Sequence, residues 1–245
     1  MVSRVKTEIK GLDNLLQGGL PKGSITMITG GPGTGKSILC QEILYKNAAN
    51  GAKCLYASFE QSETDIKTQM KQFGWNPDKV KGKLKILSLD LSGEGVVDYL
   101  LEEFNKSKFD LVAIDSIASL YINPIPASKK HMNLVEINDT VTPIPSTEGM
   151  LKKLEIRDII KPMRKSSTTV LLINQIIPGQ PGYSRDEVSE YLCDSLVKLN
   201  YSGVAGGASR SLEIVKMRFT KFSEGIMPLE ITKKGILVKS LDEKL

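Results

Sequence analysis

Eight consecutive residues, Gly30-Gly31-Pro32-Gly33-Thr34-Gly35-Lys36-Ser37, fit the pattern G-x-x-x-x-G-K-[ST] at every position. An apolar run, Ser24 to Thr29, precedes them, and apolar residues at helical spacing (Ile38, Leu39, Ile43, Leu44) follow. This pattern suits the capture of a phosphate chain. Glycines let successive backbone N–H groups turn inward without Cβ obstruction. The helix that follows aims its free N–H groups and positive dipole end at the same anion. The binding segment is therefore expected to run through Gly31, Pro32, Gly33, Thr34, Gly35, Lys36, Ser37 and Ile38. Lys36 supplies a point charge to the β/γ-phosphates and Ser37 an oxygen ligand to magnesium.

A magnesium–triphosphate site needs a second acidic element, normally at the end of a neighbouring buried strand. Asp115, closing the apolar run FDLVAID, meets that requirement; an aspartate capping the helix after it would read the same way. Hydrolysis also needs a group to orient or deprotonate water. Glu60, ending CLYASFE, could face the γ-phosphate or simply open the next helix.

The elements that must position these residues follow from periodicity. Short apolar runs at Ser24–Thr29, Cys54–Phe59, Leu84–Leu89, Phe109–Ile114 and Thr168–Asn174 read as strands. Helical patterns at Asp65–Phe73, Val96–Phe104 and Leu151–Lys165 separate them, beyond the helix from Ser37. Strands without polar alternation, joined by helices, imply an α/β fold with a mostly parallel sheet covered on both faces. After about Ser195 the rhythm becomes SLVKLNY, SLEIVKM and MPLEITKKGILV, which predicts an antiparallel C-terminal extension.

Two stretches interrupt this order: the proline-rich segment 123–148 and the loop 177–185. Neither has the composition of an interdomain linker, so one domain over residues 1–245 is expected, with 123–148 as an insertion. With 40% hydrophobic and 25% charged residues, the 245-residue chain has an ordinary globular composition. A formal charge of +5 mildly favours an anionic partner. Cys40, Cys54 and Cys193 show no metal spacing, and no run approaches a membrane span, so a cytoplasmic protein is expected. The one histidine, His131, falls in the insertion, which argues against histidine catalysis.

The segments GLDNLLQGGLPKG, the glycine-rich loop, SFEQS, AIDSIASLY and VKMRFTKFSEGIMPLEITKKGI, in this order, resemble the KaiC-like branch of the RecA-fold P-loop ATPases from about Val5 to Val238. That resemblance implies ATP and Mg2+ as cofactors and Glu60 as the water-activating carboxylate. It implies that Lys216 and Arg218, a K-x-R pair, reach a neighbouring copy's γ-phosphate. It further implies a homo-oligomer, usually a hexameric ring. The segment LLINQI also resembles the RecA strand ending in Asn-Gln, which would make Gln175 a γ-phosphate sensor.

The sequence departs from the family at several points. Gln61 stands where a second glutamate is common, Phe219 where a glycine follows the K-x-R, and Phe222 where a histidine is usual. Three readings follow: a ring-forming ATPase switch or motor, an ATP-binding scaffold with little hydrolysis, or a recombinase-like DNA-binding ATPase. The loop 177–185 carries only Arg185 as a cation, so the nucleic-acid reading has little support. A protein partner other than a second copy is compatible with each.

Overall fold

The computed structural model describes residues 2–92, 95–122, 148–177, 179, 182–204 and 207–239. The proline-rich segment, including His131 but not Glu148, lies outside the described residues. The chain forms β1 (Arg4–Val5), α1 (Leu12–Leu15), β2 (Leu20–Pro21), β3 (Ile25–Gly30), α2 (Lys36–Ala49), β4 (Cys54–Ser58) and α3 (Glu63–Gln72). A 3-10 turn (Pro77–Val80) leads to β5 (Leu84–Ser88), α4 (Val96–Lys106), β6 (Leu111–Asp115) and α5 (Ile117–Ile122). Then come α6 (Glu148–Lys165), β7 (Thr169–Ile173), α7 (Ser189–Leu192) and four strands: β8 (Ser195–Val204), β9 (Gly207–Met217), β10 (Ile226–Thr232) and β11 (Gly235–Val238).

A 9-stranded sheet in the order β11-β10-β9-β8-β3-β7-β6-β4-β5 carries the structure. Strands β8, β3, β7, β6, β4 and β5 run parallel, and β9, β10 and β11 continue the sheet antiparallel. Every residue of β3, β4, β6 and β7 is buried, which is why these strands lack polar alternation. Alternate side chains still go to opposite faces. Ile28, Tyr56, Ala113 and Leu171 join the cluster around α2, whereas Met27, Leu55, Val112 and Leu172 join Leu100, Phe104, Ile159 and Met163 of α4 and α6.

Local chemistry sets several boundaries. Ser62 caps α3 by accepting from Asp65 N at 3.1 Å, so this helix starts at Glu63, two residues before the expected Asp65. The expected helix from Leu151 begins earlier, at Glu148, and tolerates Pro162 near its end. MPLEITKKGILV is two strands rather than one. Thr232 Oγ1 donates to Gly235 O at 2.8 Å and closes a hairpin in which Thr232 opposes Gly235. All three cysteines are free and buried, and burial pushes the Cys54 thiol up to about 12, as befits inert core thiols. Among the described residues no helix is long and apolar enough to cross a membrane.

Candidate nucleotide site

Helix α2 starts at Lys36 directly after Gly35, which is left-handed (φ 101°) and offers no side-chain cap. The first turn's N–H groups, on Lys36, Ser37 and Ile38, precede the first intrahelical bond, from Leu39 N to Gly35 O at 2.9 Å. They point where a phosphate would sit. Ile38 packs its side chain against the core, so only its backbone faces the loop. The loop is held in shape from within. Thr34 Oγ1 and Lys36 Nζ both donate to Gly31 O, at 2.9 and 2.8 Å. Added Cβ atoms at Gly31 and Gly33 would meet nothing within 4 Å, leaving room beside the backbone there. Gly30 is different: with φ 150°, its Cβ would stand 2.2 Å from Leu199 O, so β8 presses on the root of the loop.

Asp115 ends β6 two strands away from β3, with only β7 between them. Its carboxylate is buried and accepts from the Tyr56 hydroxyl and from the Ser37 side chain. Burial, the largest influence, raises the Asp115 pKa; the bonds from Tyr56 and Ser37 and the charge of Lys36 pull it back down. The Lys36 ammonium is shifted down by burial, against the opposing attraction of Asp115 and Glu60. A buried ammonium whose one hydrogen-bond partner among the described residues is a carbonyl has capacity left for an anion. Ser37 and Asp115 are both oxygen donors, which suits a magnesium ion completed by phosphates and water. The peptide bond from Asp115 to Ser116 is cis.

Glu60 stands just beyond β4, whose Ser58 is the register partner of Asp115. Ser58 Oγ accepts from Glu60 N at 3.2 Å and Gln61 N at 3.0 Å, folding the chain into a tight turn at the sheet's carboxyl edge. Glu60 Oε1 accepts from Ser116 Oγ at 2.5 Å and Ser119 Oγ at 2.6 Å, and the two hydroxyls lie 2.8 Å apart. The carboxylate is thus aimed by the segment that follows Asp115. It borders an open hollow with Gln61, Ser88 and Asp90, through which water has access. The buried Gln61 Oε1 has no donor among the described residues, so a glutamate there would carry a charge that none of them compensates.

Gln175 follows β7 and lies beside the root of the loop: Asn174 N bonds Ile28 O at 2.9 Å, and Ile176 N bonds Gly30 O at 3.4 Å. Asn174 turns away, donating to the buried Asp186 at 2.6 Å.

Lys216 and Arg218 are not brought to this site. Met217, between them, pairs with Ser195, which pairs with Thr26, four residues before Gly30 on β3. That is roughly 13 Å down the strand from the loop at about 3.3 Å per residue. Lys216 Nζ donates to the carbonyls of Cys193 (2.7 Å) and Glu190 (3.3 Å), and Arg218 shares Asp194 with Arg164.

The structure also places residues at the site that sequence reasoning missed. Arg210 Nε donates to Gly33 O at 3.2 Å while its guanidinium covers the Tyr201 ring at 4.7 Å. Ile231 Cδ1 would be 2.9 Å from a Cβ on Gly35, so the antiparallel strands buttress the outer side of the loop. The serines at 116 and 119, spaced to share one helical face, were the available signal for a carboxylate clamp. Arg210 gave none, since it reads as an exposed charge on an alternating strand.

A parallel sheet with a glycine-rich loop between its first buried strand and helix α2, and an aspartate at the end of a nearby strand, defines a RecA-like P-loop nucleotide-binding fold. The family described as "ATPase: KaiC" matches residues 5–243, and the chain belongs to it. A UPF0273 protein of Thermotoga maritima is 30% identical over 238 residues, spanning 97% of this chain and 96% of that one. One from Aeropyrum pernix is 30% identical over 259 residues, spanning 97% and 94%. Among solved structures, the KaiC-like protein PH0186 from Pyrococcus horikoshii is similar, with TM-score 0.81 and 25% identity over 98% of this chain and all of that one.

Proposed function

We propose that this chain is a magnesium-dependent ATPase that works as a ring, with each nucleotide held between two copies. The observation that carries the reading is the convergence of Lys36, the Ser37–Asp115 pair and Glu60 at one edge of the sheet, while Lys216 and Arg218 stand at the other. Lys36 and the N–H groups of Gly31 to Ile38 hold the phosphates. Ser37 and Asp115 would hold magnesium, which would supply positive charge to offset that of the phosphates. Glu60 takes a proton from, or orients, the attacking water. Gln175, at the root of the loop, reports whether the γ-phosphate is present. Lys216 and Arg218 complete a neighbour's site, supplying positive charge as it grows negative in the transition state. Arg210 steadies the outer side of the loop.

The serine clamp on Glu60 and the neutral Gln61 favour a second reading, in which hydrolysis is slow and ATP occupancy itself drives assembly. Steady-state phosphate release with ATP and magnesium, on wild type and Glu60→Gln, with light scattering for size, separates the two. Turnover that needs Glu60 and rises with assembly supports the ring ATPase. Assembly on ATP without turnover supports the second reading. ATP binding that changes neither size nor activity overturns both.

A further inference from the structure

Among the described residues, the two most exposed large hydrophobic side chains are Phe219 (74%) and Tyr191 (73%). Both lie beside the K-x-R pair. Lys216 Nζ is bonded to the carbonyls of Glu190 and Cys193, on either side of Tyr191 in the chain, and Phe219 directly follows Arg218. Phe219 is also left-handed, with φ 61°. The other non-glycine residues with positive φ among those described are Glu8, Gln17 and Glu187, all polar. A phenylalanine is disfavoured in this conformation because its Cβ crowds the backbone carbonyl. Lack of room does not explain its exposure, because Phe222, three residues on, packs against the core. The isolated chain thus holds an aromatic ring in water on a backbone that suits glycine better, two unfavourable features at one position.

We infer that Phe219, with Tyr191 beside it, is an apolar anchor that docks on a second copy of this chain and seats Lys216 and Arg218 against that copy's nucleotide. This inference rests on the ring reading proposed above. Charge argues for a second copy as the occupant. Arg164 and Arg218 share Asp194 on the face where Lys216 holds the turn that carries Tyr191, whereas the nucleotide edge offers the carboxylates of Glu60 and Asp90 and, on the reading above, a triphosphate. The two faces lie toward opposite ends of β3, beside Thr26 and beyond Gly30, so a contact between them is head-to-tail, the type of interface from which rings are built. Burying the ring in a neighbour would compensate for the cost of displaying it.

The test is sedimentation velocity over a range of protomer concentrations with ATP and magnesium, in a Glu60→Gln background that spares the nucleotide. Phe219→Asn and Tyr191→Ser are compared with their parent, and thermal melts check folding. Asparagine tolerates the left-handed backbone, so Phe219→Asn is expected to melt no lower than the parent protomer. Its half-assembly concentration is expected to rise about ten-fold or more, and that of Tyr191→Ser by less. ATP affinity measured on dilute protomer should stay within about two-fold of the parent, a shift too small to signal a lost contact. Assembly of Phe219→Asn at the parent's concentration overturns the anchor and leaves the ring reading standing. A parent that stays monomeric at saturating ATP overturns both. Lost ATP affinity in the dilute Phe219→Asn protomer would place Phe219 in its own site and overturn the anchor alone.

Discussion

Ser58 and Asp115 stand opposite one another at the ends of β4 and β6, and the next residue, Phe59, donates its N–H to Asp115 O at 2.7 Å. This pairing brings Glu60 within electrostatic reach of both Asp115 and Lys36, although β4 is three places from β3 in the sheet. Ser58 Oγ turns the backbone, and the serines after Asp115 fix the carboxylate. One strand junction therefore sets the distance between the expected metal ligand and the expected base.

Lys36→Ala should weaken ATP binding by roughly 100-fold, the upper range for losing charge-assisted bonds of about 1.5–3 kcal/mol. The fold should survive, because the substitution removes a buried ammonium whose charge burial already disfavours. Calorimetric titration checks this. Unchanged affinity would move the phosphate site elsewhere.

Glu60→Gln should keep ATP affinity and lower turnover by about 10²- to 10⁴-fold, the usual contribution of a positioned acid–base group. Ser119→Ala, which removes one of two hydroxyls on Oε1, should reduce kcat by a smaller factor and leave KM unchanged. If Ser119→Ala instead shifts KM alone, the serine does not act through Glu60.

Asp115→Asn should separate stability from function. Burial raises the Asp115 pKa, so the folded protein binds this proton more tightly than the unfolded chain, whose carboxyl keeps the ordinary aspartate value near 3.8. Stability therefore falls as pH rises through the window between the unfolded and the raised folded pKa, and the cost persists above it. The amide can still accept from Tyr56. Nucleotide-free Asp115→Asn should accordingly melt about 2–4 °C higher at neutral pH for each kcal/mol relieved, with a flatter acid limb. The same variant should lose the magnesium dependence of ATP binding. A lower melting temperature at neutral pH would contradict this.

Mixing Arg218→Ala with Glu60→Gln protomers should restore part of the activity that each lacks alone. A contact between the intact Glu60 of one and the intact Arg218 of the other is complete. Arg218 stands about 13 Å down the strand from its own loop, so rescue requires the trans arrangement. Absence of rescue in verified mixed oligomers would assign Arg218 to its Asp194–Arg164 cluster alone.

Much of the site was legible in the chain. A glycine-rich loop between an apolar strand and a helix is defined by local backbone freedom, and residues 30 to 37 contain all of it. Asp115 stood out as a candidate because it closes a fully apolar run, although a cap for the following helix would read the same way. Glu60 was ambiguous, since the start of α3 accounts for an acidic residue equally well. Ser116, Ser119, Tyr56 and Arg210 were not singled out, because each acquires its role from a partner 56 to 177 positions away: Tyr56 from Asp115 at 59, Ser116 and Ser119 from Glu60 at 56 and 59, Arg210 from Gly33 at 177.

The sequence by itself determined the parallel core, its antiparallel extension and the phosphate loop, because periodicity, glycine placement and strand burial are written in contiguous residues. Tertiary structure alone decided which carboxylate faces the loop, what holds it there, and that the K-x-R pair lies at the far end of the sheet. Those are properties of strand order. The order β3-β7-β6-β4 is set by how distant side chains pack across two faces of one sheet, and no local pattern encodes it.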